Sequence, residues 1–231
     1  MNQKEPNRPL RVFEKVLEGG LGRGNLGVIM SRHGTGKVAV MTSIAIDHAM
    51  NGVNTLHAVF GKSVSEVRAY DDEVLNQMIE AHGLNDRAEI VARVERHKQI
   101  YTYRSGDFSV QRLRGTLEFL SEHAQFRPGL IEIHGWPDFD TVDPKEVAAL
   151  KALAKEWDCE VWVTAHTHRE HETTHQIPEG VKRFESLIEV MIALEPNGPH
   201  VNVRFVKVHG KASKENVRLE FDPKAMIIRW S

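Results

Sequence analysis

The sequence predicts an α/β protein with a mostly parallel central sheet, on the strength of three observations. Short apolar runs alternate with amphipathic helical segments over residues 26–166, and this alternation is typical of right-handed βαβ units. From residue 188 onward the pattern changes to short alternating segments that suit hairpin-linked strands. The chain of 231 residues contains no internal repeat, low-complexity segment or linker. A single domain is therefore expected over residues 1–231, with a loose polar arm over residues 1–12.

Periodicity and end signals place the elements in order. Ser63 is a plausible N-cap, and Gly52 and Gly83 are placed to end helices. The predicted parallel strands lie at 26–30, 54–60, 97–105, 129–136 and 159–166, and the predicted helices lie at 37–52, 63–83, 109–125 and 143–158. Segments 188–196, 200–210 and 216–230 are predicted as antiparallel edge strands. Helices on both faces of such a sheet make three layers, α/β/α.

Composition bounds the class of protein and its location. The formal net charge is −2, so the chain has no global basic field of the kind that marks nucleic-acid binders. No apolar run approaches the roughly 18 residues of a membrane helix, and the first residues lack the apolar core of a signal peptide. The single cysteine, Cys159, excludes an internal disulfide framework and reads as a small buried residue. These features predict a cytoplasmic protein without membrane contact.

The stretch SRHGTGKV, at 31–38, carries the clearest chemical signal. It follows a predicted strand and opens a predicted helix, the context of a phosphate-binding loop with the pattern G-x-x-x-x-G-K-[ST]. Two positions depart from this pattern: serine replaces the first glycine, and valine replaces the hydroxyl residue that binds Mg²⁺. An isopropyl group cannot coordinate a hard cation. The candidate nucleotide-binding residues are Ser31, Arg32, His33, Gly34, Thr35, Gly36, Lys37 and Val38.

Beyond this loop, the chain from about residue 13 to residue 230 resembles the RecA-type P-loop ATPases, in particular the group of the DnaB helicase core and the KaiC-like proteins. The resemblance rests on FEKVLEGGLGRGNLGVIMSRHGTGK, LIEIHGW, LKALAKEWDCEVWVTAHTHR and VKVHGK in this order. It implies a RecA-like fold and a site for ATP or ADP. It also implies a homo-oligomer, as a ring or a dimer, with DNA or a RecA-like protein as a partner.

The resemblance also implies that most catalytic positions are altered. The Walker B aspartate falls on His134, and the catalytic glutamate falls near Gly61 or Lys62. The sensor position falls on His166. Without the metal hydroxyl, the metal aspartate and the base, phosphoryl transfer lacks its usual Mg²⁺ and water-orienting groups. We therefore expect a nucleotide-binding protein with weak or absent hydrolysis and a regulatory or scaffolding role.

The same resemblance places two residues at a subunit contact. Lys207 matches the lysine finger that reaches the neighbouring subunit's nucleotide, and His209 stands where an arginine finger is expected.

Two alternatives remain open at this point. In the first, the protein is an active DNA-associated ATPase in which Glu132, Asp138 or Asp140 takes over metal or base duties. In the second, it is a metal-binding protein or hydrolase. Its ligands to Zn²⁺ or another transition metal would come from a histidine-rich segment past the predicted strand 159–166. The candidate metal ligands are His134, His166, His168, His171 and His175.

Overall fold

The structure is a computed structural model that describes residues 10–104, 106–167, 177–212 and 219–230. His168, His171 and His175, three of the predicted metal ligands, lie outside these ranges. The helices are α1 Arg11–Val16, α2 Lys37–Met50, α3 Val64–Ala81, α4 Arg87–His97, α5 Val110–Ala124, α6 Pro144–Trp157 and α7 Glu179–Lys182. The strands are β1 Leu26–Ser31, β2 Thr55–Phe60, β3 Lys98–Tyr103, β4 Leu130–His134, β5 Glu160–His166, β6 Val190–Asn197, β7 His200–Val208, β8 Lys211–Ala212, β9 Leu219–Asp222 and β10 Ile227–Trp230.

One sheet runs through the described residues in the order β10–β9–β7–β6–β1–β5–β4–β2–β3, with β8 paired to β7. Strands β6, β1, β5, β4, β2 and β3 are parallel, and the later strands join antiparallel. The predicted α/β class, the mostly parallel sheet and the antiparallel C-terminal strands are confirmed, but β6, from the segment 188–196 predicted as an antiparallel edge strand, lies inside the sheet and joins β1 in parallel, so the antiparallel part begins at β7. The chain leaves β1 through the glycine loop and α2 and returns at β2, on the far side of β5 and β4. The carboxyl ends of these four strands therefore meet at one edge, where open α/β sheets bind ligands.

Apolar side chains cover both faces of the sheet. In β1, Val28 and Met30 pack on the side of α5 and α6, whereas Ile29 packs on the side of α1 and α2. A smaller cluster joins α2 to α3 and α4. Because α2 is covered by other helices as well as by the sheet, most of its residues are buried. No helix within the described ranges combines the length and apolar character needed to cross a membrane.

Two features, one near the N-terminus and one in the middle of the chain, differ from the elements that the sequence predicts. The loose arm expected over 1–12 is wrong for its last residues, because Leu10 is buried, its N–H donates to Asp47 Oδ1, and α1 begins at Arg11. Helix α4 lies largely between the predicted helix 63–83 and the predicted strand 97–105, where the sequence pattern is polar and predicts no element. Val94 is its one buried residue, so the apolar stripe is too sparse to predict a helix without the packing of α2 and α3.

The predicted helix ends are confirmed. Ser63 caps α3 by accepting from the Glu66 N–H, while the Glu66 carboxylate accepts from the Ser63 N–H, which forms a reciprocal capping box. Gly52 and Gly83 follow α2 and α3 with positive φ angles, where glycine avoids the clash of a Cβ atom.

Cys159 offers a direct probe of core integrity. Its side chain is buried, and burial raises the pKa of the thiol to about 12. Because only the thiolate is nucleophilic, we expect a disulfide reagent to label Cys159 roughly 100-fold more slowly in the folded protein than in the urea-unfolded chain. Labelling is stopped at a series of times, and the labelled fraction is measured by mass spectrometry. Because the chain has a single thiol, both rates refer to Cys159. Equal rates in the two states would contradict the buried placement.

Candidate functional site

The loop between β1 and α2 turns at two glycines. Gly34 and Gly36 have φ angles of +78° and +97°, a left-handed conformation that other residues rarely adopt. Ser31, which replaces the first glycine of the expected pattern, is the last residue of β1 and pairs in register with His166. Its extended backbone needs no glycine. The loop delivers the chain to the N-terminus of α2, where backbone N–H groups without helical partners favour anions.

Lys37 lies inside this loop rather than in solvent. Only 7 % of the residue is exposed, and its Nζ donates to the Arg32 carbonyl at 3.3 Å. The same Nζ lies 3.2 Å from His166 Nδ1. When the His166 imidazole is neutral, this nitrogen accepts a hydrogen bond from the Lys37 ammonium. Burial lowers the pKa of Lys37 below its ordinary value. An anion in the loop would therefore meet a desolvated ammonium whose present partners are a carbonyl and an imidazole.

A cleft of about 450 Å³ opens beside the loop at the carboxyl edge of the sheet. It brings together residues that the sequence placed far apart: His134 at the end of β4, His166 at the end of β5, and Lys62 after β2. His33 and His166 stack with ring centroids 5.7 Å apart. The side chain of Val38 also lines the cleft, so an isopropyl group stands where the phosphate-loop pattern has a hydroxyl.

Beneath His134, the sheet holds a buried group of charges. His57 of β2 and Glu132 of β4 are opposite each other in register and both are fully buried. Glu132 Oε1 lies 2.6 Å from His57 Nδ1 and accepts from His134 Nε2 at 2.7 Å. Asp71 Oδ2, from α3, lies 3.1 Å from His57 Nδ1 and 3.2 Å from Lys98 Nζ. These contacts pair the Oε1 atom of Glu132, as a carboxylate in a buried strand requires.

The charges of the buried side chains of His57, Asp71, Glu132 and Lys98 offset one another. Burial acts to lower the pKa of His57, but the Glu132 and Asp71 carboxylates outweigh it and raise that pKa to about 9. Burial acts to raise the pKa of Glu132, but His57 and His134 hold it below its ordinary value. Two carboxylates therefore face one imidazolium and one ammonium, from His57 and Lys98. The formal charges of this buried set cancel.

The predicted catalytic candidates lie in different surroundings. Glu132 is sealed in the core, and its partner His134 lines the cleft. Asp138 is exposed in the turn after β4, where its carboxylate accepts from the Thr141 hydroxyl at 2.8 Å and the Asp140 N–H at 3.1 Å. Within the described residues, neither Asp138 nor Asp140 lines the cleft.

Lys207 and His209, the candidates for contacts with a neighbouring subunit, have partners within their own chain. Lys207 Nζ donates to the carbonyls of Glu185 and Ile188 at 2.7 and 2.8 Å. His209 Nε2 lies 2.9 and 3.0 Å from the carbonyls of Leu17 and Gly20. A contact with a neighbouring subunit would require these hydrogen bonds to be exchanged, and it stays a prediction.

Sequence reasoning identified Glu132 and His134 but missed His57, Asp71 and Lys98. A signal was present: His57 interrupts an apolar strand, as Glu132 does, and two such interruptions can compensate each other. Of the predicted metal ligands, His134 and His166 line one cleft. Among the described residues, however, the set of donors close enough to hold one ion is His57, Glu132 and His134.

Comparison of the chain with models of known protein families gave no match, and comparison with curated proteins gave none either.

Proposed function

We propose that the protein binds a nucleotide, ATP or ADP, through the loop at residues 31–38 and hydrolyses it weakly or not at all. In this proposal it acts as a regulatory or scaffolding protein related to the RecA-type ATPases. The observation that carries the proposal is the placement of Lys37: its ammonium is buried inside a loop whose two glycines adopt left-handed conformations at the N-terminus of a 14-residue helix. Such a loop offers backbone N–H groups and a fixed positive charge to phosphate oxygens.

The surroundings of the loop support binding without efficient turnover. Phosphoryl transfer needs a metal ion near the β- and γ-phosphates and a group that orients the attacking water. Val38 and His134 occupy the cleft where a hydroxyl and an aspartate would hold Mg²⁺. Lys62, a cation, lies near the place expected for the catalytic glutamate. These three side chains disfavour Mg²⁺-dependent hydrolysis.

The alternative of an active DNA-associated ATPase draws less support from the same residues. It requires Glu132, Asp138 or Asp140 to serve as metal ligand or base. Within the described residues, none of these three lines the cleft beside the loop, where the nucleotide and its Mg²⁺ would lie: Glu132 is fully buried, and Asp138 and Asp140 lie in the turn after β4. Assembly into a ring or dimer, and a DNA or RecA-like protein partner, remain expectations of the resemblance.

Isothermal titration with ATP and with ADP, each in Mg²⁺ and in EDTA, tests the proposal. We expect binding of at least one nucleotide, with an affinity that changes little when Mg²⁺ is removed. Lys37→Ala should weaken binding by at least about tenfold, because a charge-assisted contact to phosphate is lost. Lys182→Ala, which removes an exposed lysine from α7, is the matched control and should bind as the wild type does.

A phosphate-release assay separates the proposal from the active-ATPase alternative. We expect the wild type and Lys37→Ala to release phosphate from ATP at the same background rate, with or without single-stranded DNA. Nucleotide binding at this loop would be refuted if the protein bound neither ATP nor ADP, or if Lys37→Ala bound them with the same affinity as the wild type. Release by the wild type that is far above background, increases with single-stranded DNA and is lost in Lys37→Ala would support the alternative.

A further inference from the structure

We propose that His57, Glu132 and His134 form a binding site for one divalent transition-metal ion at the floor of the cleft. This inference goes beyond nucleotide binding, because the ion would be held by the protein alone. It also differs from the metal site expected from the histidine-rich segment, with which it shares only His134.

The topology of the sheet brings the three donors together. His57 and Glu132 are register partners on the adjacent parallel strands β2 and β4. His134 follows Glu132 by two residues, so both side chains point to the same face of β4. As a result, one donor atom from each residue lies within 4.8 Å of the other two. Two imidazoles and one carboxylate on neighbouring strands are a ligand set that leaves coordination positions open.

Buried polar atoms at this site lack well-aligned hydrogen-bond partners. They include Glu132 Oε2 and both ring nitrogens of His57, which has only close ionic contacts to the two carboxylates. Buried polar atoms in native proteins are normally satisfied, so a cluster of exceptions requires an explanation. A cation between Glu132 and the two histidines would take the place of the His57 proton, which is released to solvent, and would bind a nitrogen of each neutral imidazole and the Glu132 carboxylate.

The contacts of Glu132 with the two histidines need only a small rearrangement to admit an ion. Zinc-like ions hold nitrogen and oxygen ligands at about 2.0–2.2 Å, so ligand atoms around one ion lie about 3.0–3.5 Å apart. The present separations of 2.6 and 2.7 Å between Glu132 Oε1 and the two imidazole nitrogens would open by less than about 1 Å. Asp71 keeps Lys98 as its partner at 3.2 Å when His57 turns to the metal.

His134 supplies the route to the site. Its side chain is 11 % exposed and lines the cleft, whereas Glu132 and His57 are sealed. An ion that enters past His134 would direct its open positions toward the cleft, where water or a phosphate oxygen can bind. The donor set also predicts the kind of ion. Imidazole nitrogens suit Zn²⁺, Co²⁺, Ni²⁺ and Fe²⁺, whereas Mg²⁺ prefers oxygen ligands and a nearly regular octahedron.

Titration with Co²⁺ and Zn²⁺ tests this inference. The full-length protein, purified without an affinity tag and stripped with a chelator, is titrated with Co²⁺ by visible absorption and with Zn²⁺ by calorimetry, in the absence of nucleotide. We expect binding at this site with one ion per chain and no competition from excess Mg²⁺. His134→Ala should weaken binding by at least roughly tenfold and change the Co²⁺ spectrum.

Two control variants test whether the ion binds at the proposed site rather than at other histidines of the chain. The triple variant His168→Ala, His171→Ala, His175→Ala should keep both the high-affinity ion and its Co²⁺ spectrum. His123→Ala, which removes an exposed histidine from α5, should also bind as the wild type does. Circular dichroism of each variant confirms folding, and His134→Gln replaces His134→Ala if the latter unfolds.

Three outcomes would overturn the inference: no stoichiometric Co²⁺ or Zn²⁺ binding, unchanged affinity in a folded His134 variant, or loss of the ion in the triple variant. Because the titrations contain no nucleotide, they succeed or fail independently of the proposed nucleotide site. Conversely, the nucleotide titrations in EDTA do not depend on this ion.

Discussion

Replacing Glu132 by alanine is expected to lower the free energy of unfolding by about 3–5 kcal/mol, the usual effect of removing one partner from a buried ion pair. Glu132 is fully buried and contacts both His57 and His134. Without it, the positive charges of His57 and Lys98 share the single carboxylate of Asp71. The chain must then either keep an uncompensated charge in the core or neutralise His57 there. Urea denaturation in EDTA, followed by circular dichroism, measures the change in the metal-free protein.

A double-mutant cycle separates the loss of pairing from the loss of volume. His57→Leu and Glu132→Leu should each be destabilising, whereas the variant with both changes should lose less than the sum, because the remaining Asp71–Lys98 pair is neutral. Glu118→Ala, at an exposed position of α5, should change stability by no more than about 0.5 kcal/mol. A Glu132→Ala cost below about 1 kcal/mol, or strictly additive leucine variants, would contradict the charge-balanced arrangement.

Replacing Gly27 by alanine is expected to cost about 1–3 kcal/mol, through overpacking. Gly27 is the register partner of Trp162 on the adjacent strand, and a Cβ at this glycine would lie 2.6 Å from two carbons of the indole. Trp162 is only 1 % exposed, and its ring also packs near Phe13, with centroids 6.3 Å apart. The indole therefore has little room to retreat. Urea denaturation again provides the measurement.

The helix α5 supplies a matched control for this substitution. Gly115 lies within α5, and a Cβ there would meet open space, so Gly115→Ala should stabilise the protein by roughly 0.5–1 kcal/mol. In the background of Trp162→Leu, the cost of Gly27→Ala should shrink, because the smaller side chain leaves room for a methyl group. A Gly27→Ala variant as stable as the wild type would show that the strand and the indole are not in contact.

Whether a part of the site could be predicted from the sequence depends on how far apart along the chain its residues lie. The strand–loop–helix unit at residues 26–50 is local, so its apolar run, its glycines and its helical periodicity identify it within one short stretch. The pairing of His57 with Glu132 is not local. It depends on β2 and β4 becoming neighbours, although 74 residues separate the two positions. No periodicity within either strand carries that information.

Helix α4 and the Asp71–Lys98 contact illustrate the same limit. Helix α4 has too narrow an apolar stripe to be recognised alone, yet it packs on α2 and α3. Lys98 begins β3 with its ammonium buried against Asp71, although a lysine at the start of a strand is ordinarily a solvated residue. Only the packed neighbours explain why its charge is stable in the core.

The sequence by itself determined the α/β class, the order of most elements and the position of the glycine loop with Lys37, because backbone preferences and hydrophobic periodicity act over a few residues. Tertiary structure alone decided that Lys37 turns into its own loop, that His134 and His166 line one cleft, and that His57, Asp71, Glu132 and Lys98 balance their charges. These outcomes depend on strand order and helix packing. The burial that results from that packing makes unpaired charge costly and selects the partners.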